Sequence, residues 1–401
     1  MSESKTTRWK GITIFSVLVI IAITVSATFT GHWVLTALPV GFLFGFFLEK
    51  ADLCGASAFS EAFMWKDWRK LQGIWMIVAV SMPAFALFAG LDLIKLNPKP
   101  LLWANYIVGG AIFGVGMVLA GGCVSGSLYK SGQGNLNSMA ALVGIPIGIM
   151  AVEHGPLNGF LETLKSYVVK SAEGGPVTFF SITHLPYWLL AIIITAVTLG
   201  VALYLRKKQN KPAKSEGPSE MPFLQRVLTR PWRPWQAGVA IGLLAVFAYM
   251  SSAASGRNYP LGVTHGVMHA ELLVTDAPLN HVYAPQPKTP AATDDKAPPK
   301  PAKKVSWWLI LEVSALVLGS FVSARLSGRA KLLPKPPEQT VTAFFGGILV
   351  GTGAAIARGC VVGNIMSGLA LMSVGNLLFA VVVLLANWAT TYIYLMGRQR
   401  V

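Results

Sequence analysis

The chain has 401 residues, of which 53% are hydrophobic and only 12% are charged, and its formal net charge is +16. A soluble domain carries about 25% charged residues, so the composition excludes an ordinary soluble protein. Charge-free runs such as 11–48 and 71–91 exceed the roughly 20 residues that a helix needs to cross a bilayer. We therefore predict an all-α polytopic membrane protein with about nine to ten transmembrane helices and short broken half-helices. The positive charge also suits an anionic substrate.

Ten apolar segments follow one another along the chain. They predict spans at about 11–30, 35–49, 71–91, 101–121, 136–152, 186–205, 235–254, 306–324, 341–357 and 375–396. The first is longer than the ~7–15 residues of a signal-peptide core, so we expect a retained anchor helix. With ten spans the basic stretches at 66–70, 206–233 and 325–335 share one side of the membrane. The positive-inside rule then places them in the cytoplasm, together with both termini, and predicts an inner-membrane protein.

The domain organisation follows from this order. We predict an anchor helix at 1–32, a first transport half at 33–205, a basic cytoplasmic linker at 206–233 and a second transport half at 234–397. Within the second half, the Pro/Ala/Lys-rich stretch at 276–304 cannot bury a core, so we expect a mobile loop there.

A glycine-spaced helix that ends in a cysteine occurs more than once. The stretch GGAIFGVGMVLAGGCVSG at 109–126 returns as GGILVGTGAAIARGCVVG at 346–363, with a constant offset of 237 residues. A fainter copy precedes the first by 69 residues. The aligned residues of the three copies are Gly41, Gly45 and Cys54; Gly110, Gly114 and Cys123; and Gly347, Gly351 and Cys360. The span count gives the two strong copies opposite orientations, which predicts two pseudo-symmetric inverted halves, a transporter architecture.

The glycines in these copies have two different interpretations. The paired glycines four residues apart are small-xxx-small patterns, which let helices approach closely. In contrast, Gly121, Gly122 and Gly359 lie where each helix should end. A broken helix exposes free backbone N–H groups, and the N-terminus of the next helix attracts anions. We therefore expect these three glycines to open the backbone around Cys123 and Cys360.

The three cysteines are all the cysteines of the chain. A single cysteine in a membrane helix usually packs as a small hydrophobe, but three in one repeated register indicate a site. A thiol is a soft, weak donor, suited to a soft sulfur anion such as thiosulfate, and successive weak sites allow conduction. The alternative is a membrane sulfurtransferase that passes a persulfide from cysteine to cysteine. In a third alternative the cysteines only pack in a structural subunit.

Several charged residues accompany the site. Arg358 lies next to the last cysteine, and two interpretations stay open: it holds the anion, or its side chain snorkels or caps a carbonyl. Glu49 and Asp52 would disfavour an anion, so we expect them outside the path. Glu312 in the 306–324 span should pair with a basic group.

Cofactor and metal sites are not predicted. His265 and His269 are four residues apart, but we interpret them as ordinary histidines of a helix face or loop. No CxxC or paired Cys/His spacing accompanies the cysteines, which disfavours zinc. No GxxxxGK[ST] phosphate loop occurs either, so the sequence predicts a transporter and not an ATP-hydrolysing enzyme.

The cysteine motifs resemble those of the YeeE/YedE family of sulfur-compound transporters, and within it the YeeE-type thiosulfate transporters. The resemblance runs over about 35–397, with GGAIFGVGMVLAGGCVSGSLYKSGQG as its strongest part and LEKADLCGASAFSEAF as its weakest. It implies that Cys54, Cys123 and Cys360 relay thiosulfate inward by transient hydrogen bonding. It also implies a small cytosolic TusA-like sulfurtransferase as partner.

This chain departs from the family pattern at two of the cysteines. Family members often have Arg-Phe before the first cysteine and a GGC triplet at the last, where this chain has Asp52-Leu53 and Arg358-Gly359-Cys360. The exact anion therefore stays open among thiosulfate, sulfide, polysulfide, selenite-type anions and other sulfur oxyanions.

Overall fold

The computed structural model describes residues 3–171, 174–208, 222–275, 279–285, 303–332 and 335–397. Most of these residues are helical, and the strands among them form only two two-stranded pairs. The helices are α1 (Glu3–Thr30), α2 (Ala37–Ala51), α3 (Gly55–Met64), α4 (Arg69–Gly90), α5 (Trp103–Ala120), α6 (Val124–Gly132), α7 (Leu136–Glu153), α8 (Asn158–Ser166), α9 (Phe179–Thr183), α10 (Tyr187–Lys208), α11 (Phe223–Thr229), α12 (Pro234–Ala254), α13 (Val263–Leu272), α14 (Trp307–Leu326), α15 (Pro337–Ile356), α16 (Ser367–Ala370) and α17 (Val374–Thr390). A 3-10 turn (Trp33–Thr36) precedes α2, and π-helical segments (Val361–Met366 and Thr391–Met396) precede α16 and follow α17.

The prediction of an all-α polytopic membrane protein is confirmed. Within the described residues, nine helical segments are long and apolar enough to cross a membrane. They contain nine of the ten predicted spans. The tenth, at 186–205, forms α10, but its continuous apolar part (Tyr187–Val201) is shorter than the other nine segments.

The same packing pattern occurs twice. Each half contains a long helix, a short one, two long ones, a second short segment and a final long helix. These are α2 to α7 in the first half and α12 to α17 in the second, where the π-helical segment and α16 together replace α6. The contacts repeat as well, since α2 packs against α14 as α12 packs against α4, and α7 packs against α15 as α17 packs against α5. The two halves therefore interlock.

The central pair, α5 and α15, shows that the halves are inverted. These helices are equivalent under the 237-residue offset, and they lie against each other. Gly109 near the start of α5 faces Ala357 just past the end of α15, whereas Ala120 at the end of α5 faces Gly346. Equivalent helices that pack antiparallel are related by an axis in the membrane plane, which is the inverted-repeat geometry.

The paired glycines lie at close helix–helix contacts. A Cβ added at Gly41 or Gly45 would overlap the backbone of α14, and one added at Gly347 or Gly351 would overlap the backbone of α7. The interfaces of α2 and α15 therefore require glycine, as the small-xxx-small interpretation predicts.

Two short strand pairs lie outside the helices. Strand β1 (Leu101–Leu102) pairs antiparallel with β2 (Val168–Val169). Strand β3 (Leu279–Val282) pairs in parallel with β4 (Lys303–Ser306). Strand hydrogen bonds of this second pair join the two ends of the stretch 276–304, over which the mobile loop stays a prediction. Residues 276–278 and 286–302 lie outside the described residues.

Candidate functional site

The three cysteine turns share one backbone geometry. The residue two positions before each cysteine has a left-handed backbone, with φ of 48° at Asp52, 66° at Gly121 and 54° at Arg358. This conformation ends the preceding helix, as left-handed residues commonly do. Cys54 and Cys123 then adopt an extended backbone, and Cys360 does the same. The predicted helix breaks at Gly121–Gly122 and at Gly359 are therefore present.

Each cysteine is the N-cap residue of the helical segment that follows it. Cys54 precedes α3, Cys123 precedes α6, and Cys360 precedes the π-helical segment. The carbonyl group of each accepts the N–H of the residue four positions later, at 2.8–2.9 Å. The first N–H groups of a helix have no partner within it and carry a partial positive charge, so all three thiols lie at positions that favour an anion.

The turns of Cys54 and Cys123 meet at Gly126. All three thiols are free and buried. A Cβ added at Gly126 would overlap Cys54 Sγ and would lie 3.5 Å from Cys123 Sγ, so the two sulfur atoms are neighbours across a residue without a side chain. Ser125 Oγ lies 3.3 Å from Cys123 Sγ and supplies a further polar group.

The Cys360 turn reaches the same place from the other half. A Cβ added at Gly55, directly after Cys54, would lie 2.7 Å from a methyl group of Val361, directly after Cys360. The turns of Cys54 and Cys360 therefore touch, and Gly126 connects Cys54 to Cys123. The structure brings all three predicted cysteines into one region between the halves.

Lys99 is a site residue that sequence reasoning missed. Its ammonium group donates to the carbonyl of Arg358 at 2.7 Å and to Asn364 Oδ1 at 2.7 Å, and lies 5.2 Å from the ring centre of Tyr259. In the part of the chain that the structure describes, no carboxylate pairs with it. Burial, with Arg358 and Arg257 nearby, lowers the pKa of Lys99 to about 7. In the sequence this residue looks like any loop lysine before a span.

Lysines also bind the other two turns. Lys130 donates to the carbonyl of Gly121 at 2.8 Å, which mirrors the bond from Lys99 to Arg358. Lys70 pairs with the Asp52 carboxylate at 2.8 Å, and Tyr129 donates to the same carboxylate at 2.8 Å. Each cysteine turn therefore has its own lysine, which contacts the left-handed residue of that turn.

Glu49, unlike the exposed Arg358, has several local partners. Glu49 is buried and accepts hydrogen bonds from Ser323 at 2.5 Å and Gln133 at 3.2 Å, with Arg329 at 3.1 Å. Arg358 is an exposed residue, and both of its interpretations stay predictions.

A fourth broken helix completes the pattern without a cysteine. The chain leaves α12 at Ala254 and re-enters as α13, whose N-cap is Gly262. The N–H of Gly262 lies 3.4 Å from both carboxylate oxygens of Glu312, and Arg257 adds positive charge nearby. These are the partners that the sequence left unnamed for Glu312. The fourth N-terminus therefore faces a carboxylate of the chain itself.

The two histidines of α13 do not form a metal site with other ligands. His269 Nδ1 accepts the backbone N–H of Ser306 at 3.0 Å. His265 is half-buried, with Lys99 and Arg257 nearby. Within the described ranges, no group of three His, Cys, Asp or Glu side chains is arranged to hold a metal ion.

Comparison with known proteins agrees with this architecture. A family model described as sulphur transport matches residues 50–389. The thiosulfate transporter TsuA of Spirochaeta thermophila is 30% identical over 371 residues, which cover 89% of this chain and 98% of that protein. The thiosulfate transporter TsuA of Escherichia coli K12 is 27% identical over 371 residues, which cover 92% of this chain and 96% of that protein.

The family match spans most of the chain and includes all three cysteine turns. It confirms the resemblance seen in the motifs and identifies a multi-pass membrane transporter of a sulfur anion, and not an enzyme. The chain belongs to the sulphur transport (YeeE/YedE) family.

Proposed function

We propose that this protein takes up thiosulfate, or a closely related sulfur anion, through a path lined by Cys54, Cys123 and Cys360. The observation that carries the proposal is the convergence of three N-cap thiols between the halves, two of them adjacent across Gly126. The anion moves by transient S–H···S hydrogen bonds from one thiol to the next.

The chemistry of the path suits thiosulfate at both ends of the ion. Its sulfur end accepts weak hydrogen bonds from thiols, and its oxygen end accepts stronger bonds from N–H groups and ammonium. Helix N-termini offset the cost of burying the negative charge. The thiol contacts are weak, so the anion can pass from one cysteine to the next without being trapped.

Lys99 makes one end of the path chemically different from the other. Its ammonium group lies 3.9 Å from the Cβ position of Gly363, and among the described residues no other atom outside the segment of Gly363 itself comes within 4 Å of that position. Space beside a cation without a carboxylate partner favours an anion. We place the access side of the path at Lys99 and Cys360, followed by the adjacent pair Cys54 and Cys123. Gly121, Gly122 and Gly359 keep the backbone open, and Arg358 is available at the access side.

The cellular setting of the proposal is the inner membrane, with both termini in the cytoplasm and uptake directed inward. The adjacent pair Cys54 and Cys123 then lies nearer the cytoplasm than Cys360. A TusA-like sulfurtransferase on that side would accept the sulfur that the path delivers.

The experiment is uptake of radiolabelled thiosulfate by cells that lack their own sulfate and thiosulfate uptake. Wild type is compared with Cys123→Ser and Cys123→Ala at equal expression. We expect uptake with wild type, partial uptake with serine because a hydroxyl still donates, and none with alanine. A persulfide relay would fail with serine as well, since oxygen cannot carry the sulfane sulfur.

Two results would overturn the proposal. Absence of thiosulfate uptake by wild type would exclude this substrate in that host. Equal uptake by wild type and Cys123→Ala would reduce Cys123 to a packing residue.

A further inference from the structure

A long apolar groove runs along the outside of the transport body, away from the cysteines. It encloses about 1110 Å³ between α4, α10 and α17. Two hydrogen bonds join α10 to α4, from Trp75 Nε1 to Thr198 Oγ1 and from Thr195 Oγ1 to the carbonyl of Ala79, both at 3.1 Å. Its walls are therefore set by specific contacts.

One end of the groove differs in chemistry from the rest. Arg69, Arg233, Trp68 and Trp235 line this end, whereas most of the remaining lining is aliphatic or aromatic. Arg69 forms an ion pair with both carboxylate oxygens of Asp67, and its side chain is 80% exposed. Among the described residues Arg233 has no ion pair. Tryptophan and arginine together at a helix end are typical of the membrane–water interface.

The other end of the groove reaches the broken helix after Cys360. Ile365 lies on the π-helical segment and Leu369 on α16, and both side chains line the groove. An occupant of the groove would therefore touch the segment whose N-terminus faces Cys360.

We propose that this groove binds one anionic phospholipid, with its phosphate at Arg69 and Arg233 and an acyl chain extending to Ile365 and Leu369. Charge complementarity selects this occupant, because two arginines at the interfacial end of an apolar channel between transmembrane helices match an anionic headgroup above a hydrocarbon tail. The acyl chain of the lipid then packs against the π-helical segment from outside the path.

The test measures lipid retention and does not depend on the transported substrate. The protein is purified, exchanged into nanodiscs of equal phosphatidylglycerol and phosphatidylcholine, released and weighed by native mass spectrometry. We expect one retained phosphatidylglycerol per chain. Each arginine should contribute about 1 kcal/mol to the preference for phosphatidylglycerol over phosphatidylcholine. Arg233→Gln should therefore lower this preference about fivefold, and the double variant Arg233→Gln with Arg69→Gln should lower it about thirtyfold.

Two controls keep the result specific. Arg325 is an exposed arginine outside the groove, so Arg325→Gln should leave the preference within about twofold of wild type. Ala380→Phe fills the groove without touching the arginines and should release the lipid, whereas Leu385→Phe on the exposed face of α17 should not.

Three results would overturn the proposal. The first is equal retention of the two lipids by wild type, and the second is wild-type retention by the double arginine variant. The third is a second copy of the chain that excludes lipid from the groove, which would appear as a dimer mass without phosphatidylglycerol.

Discussion

The turns of Cys123 and Cys360 are equivalent in the repeat but have different surroundings. Both end a helix with a left-handed residue, and in both a lysine binds the carbonyl of that residue. Beside Cys123, the space above Gly126 is filled by the Cys54 thiol, whereas at the equivalent Cβ position of Gly363 the nearest described atom from another segment is the Lys99 ammonium, at 3.9 Å. One backbone motif therefore supports a thiol–thiol contact in one half and an open cationic site in the other.

The difference between the two turns makes the two ends of the path chemically unlike, although the halves are inverted repeats. A perfectly symmetric pair of halves would present the same chemistry to both sides of the membrane. Here the first half contributes a cysteine at its first broken helix, and the second half contributes Gly262 and Glu312 at the corresponding place. The difference confines the thiols to one continuous line and leaves the lysine at one end.

The largest expected effect comes from adding one methyl group to each of the equivalent glycines. Gly126→Ala would overlap Cys54 Sγ and crowd Cys123, so we expect uptake to fall at least about tenfold, because overpacking costs about 1–3 kcal/mol. Gly363→Ala meets only the flexible end of Lys99, and we expect no more than about a twofold change. Uptake normalised to protein in the membrane measures both. Equal uptake by the two variants would contradict the difference between the two turns.

The next effect concerns Lys99. Lys99→Gln removes a charge-assisted contact, so we expect the KM for the anion to rise about tenfold with little change in maximal rate. Lys95→Gln, on the same loop, is the matched control and should behave as wild type.

Lys99 also predicts a pH dependence. Because the pKa of Lys99 is about 7, its ammonium form is present below that pH and is lost as the pH rises through it. The KM of wild type should therefore increase from pH 6 to pH 8, and the KM of Lys99→Gln should not. A flat wild-type profile would show that Lys99 does not contact the anion.

A smaller effect is expected at the left-handed residues. Arg358→Gly relieves an unfavourable backbone conformation and should stabilise the protein by about 1 kcal/mol, whereas Gly121→Ala should destabilise it by a similar amount. Thermal unfolding in detergent measures both. Arg358→Asn, which tolerates the left-handed region, separates the charge from the backbone, so unchanged uptake by this variant would remove Arg358 from the path.

The smallest effect is expected at the Cys54 turn. Asp52→Asn keeps a side chain that tolerates a left-handed backbone and accepts a bond from Tyr129, and Lys70 retains Glu61 at 2.7 Å. We expect uptake within about twofold of wild type, since a partly exposed ion pair contributes about 0–1 kcal/mol. A loss comparable with that of Lys99→Gln would place Asp52 at the path.

The helix breaks and the cysteine register were predictable because their signals are local. Gly121, Gly122 and Gly359 mark the ends of helices within a few residues. The repeat is recognised from the spacing of its glycines and cysteines alone. The paired glycines were also interpreted correctly as close helix contacts. The strand pair around 276–304 was missed because Leu279 and Lys303 are far apart in sequence and their pairing has no composition signal.

The partners of the cysteine turns could not be predicted. Lys99 and Arg358 are separated by more than 250 residues, and nothing near either one points to the other. The fourth broken helix was also missed, because it has glycine where the others have the cysteine that marks the repeat.

By itself the sequence determined the membrane-helix class, the repeated register of Cys54, Cys123 and Cys360, and the places where their helices end. These properties depend on hydrophobicity and backbone freedom within one segment. Only the tertiary structure decided which thiols touch, which lysine contacts which turn and where the groove lies. Those properties arise when helices from opposite halves pack together, and close packing between distant segments is a property of the assembled fold.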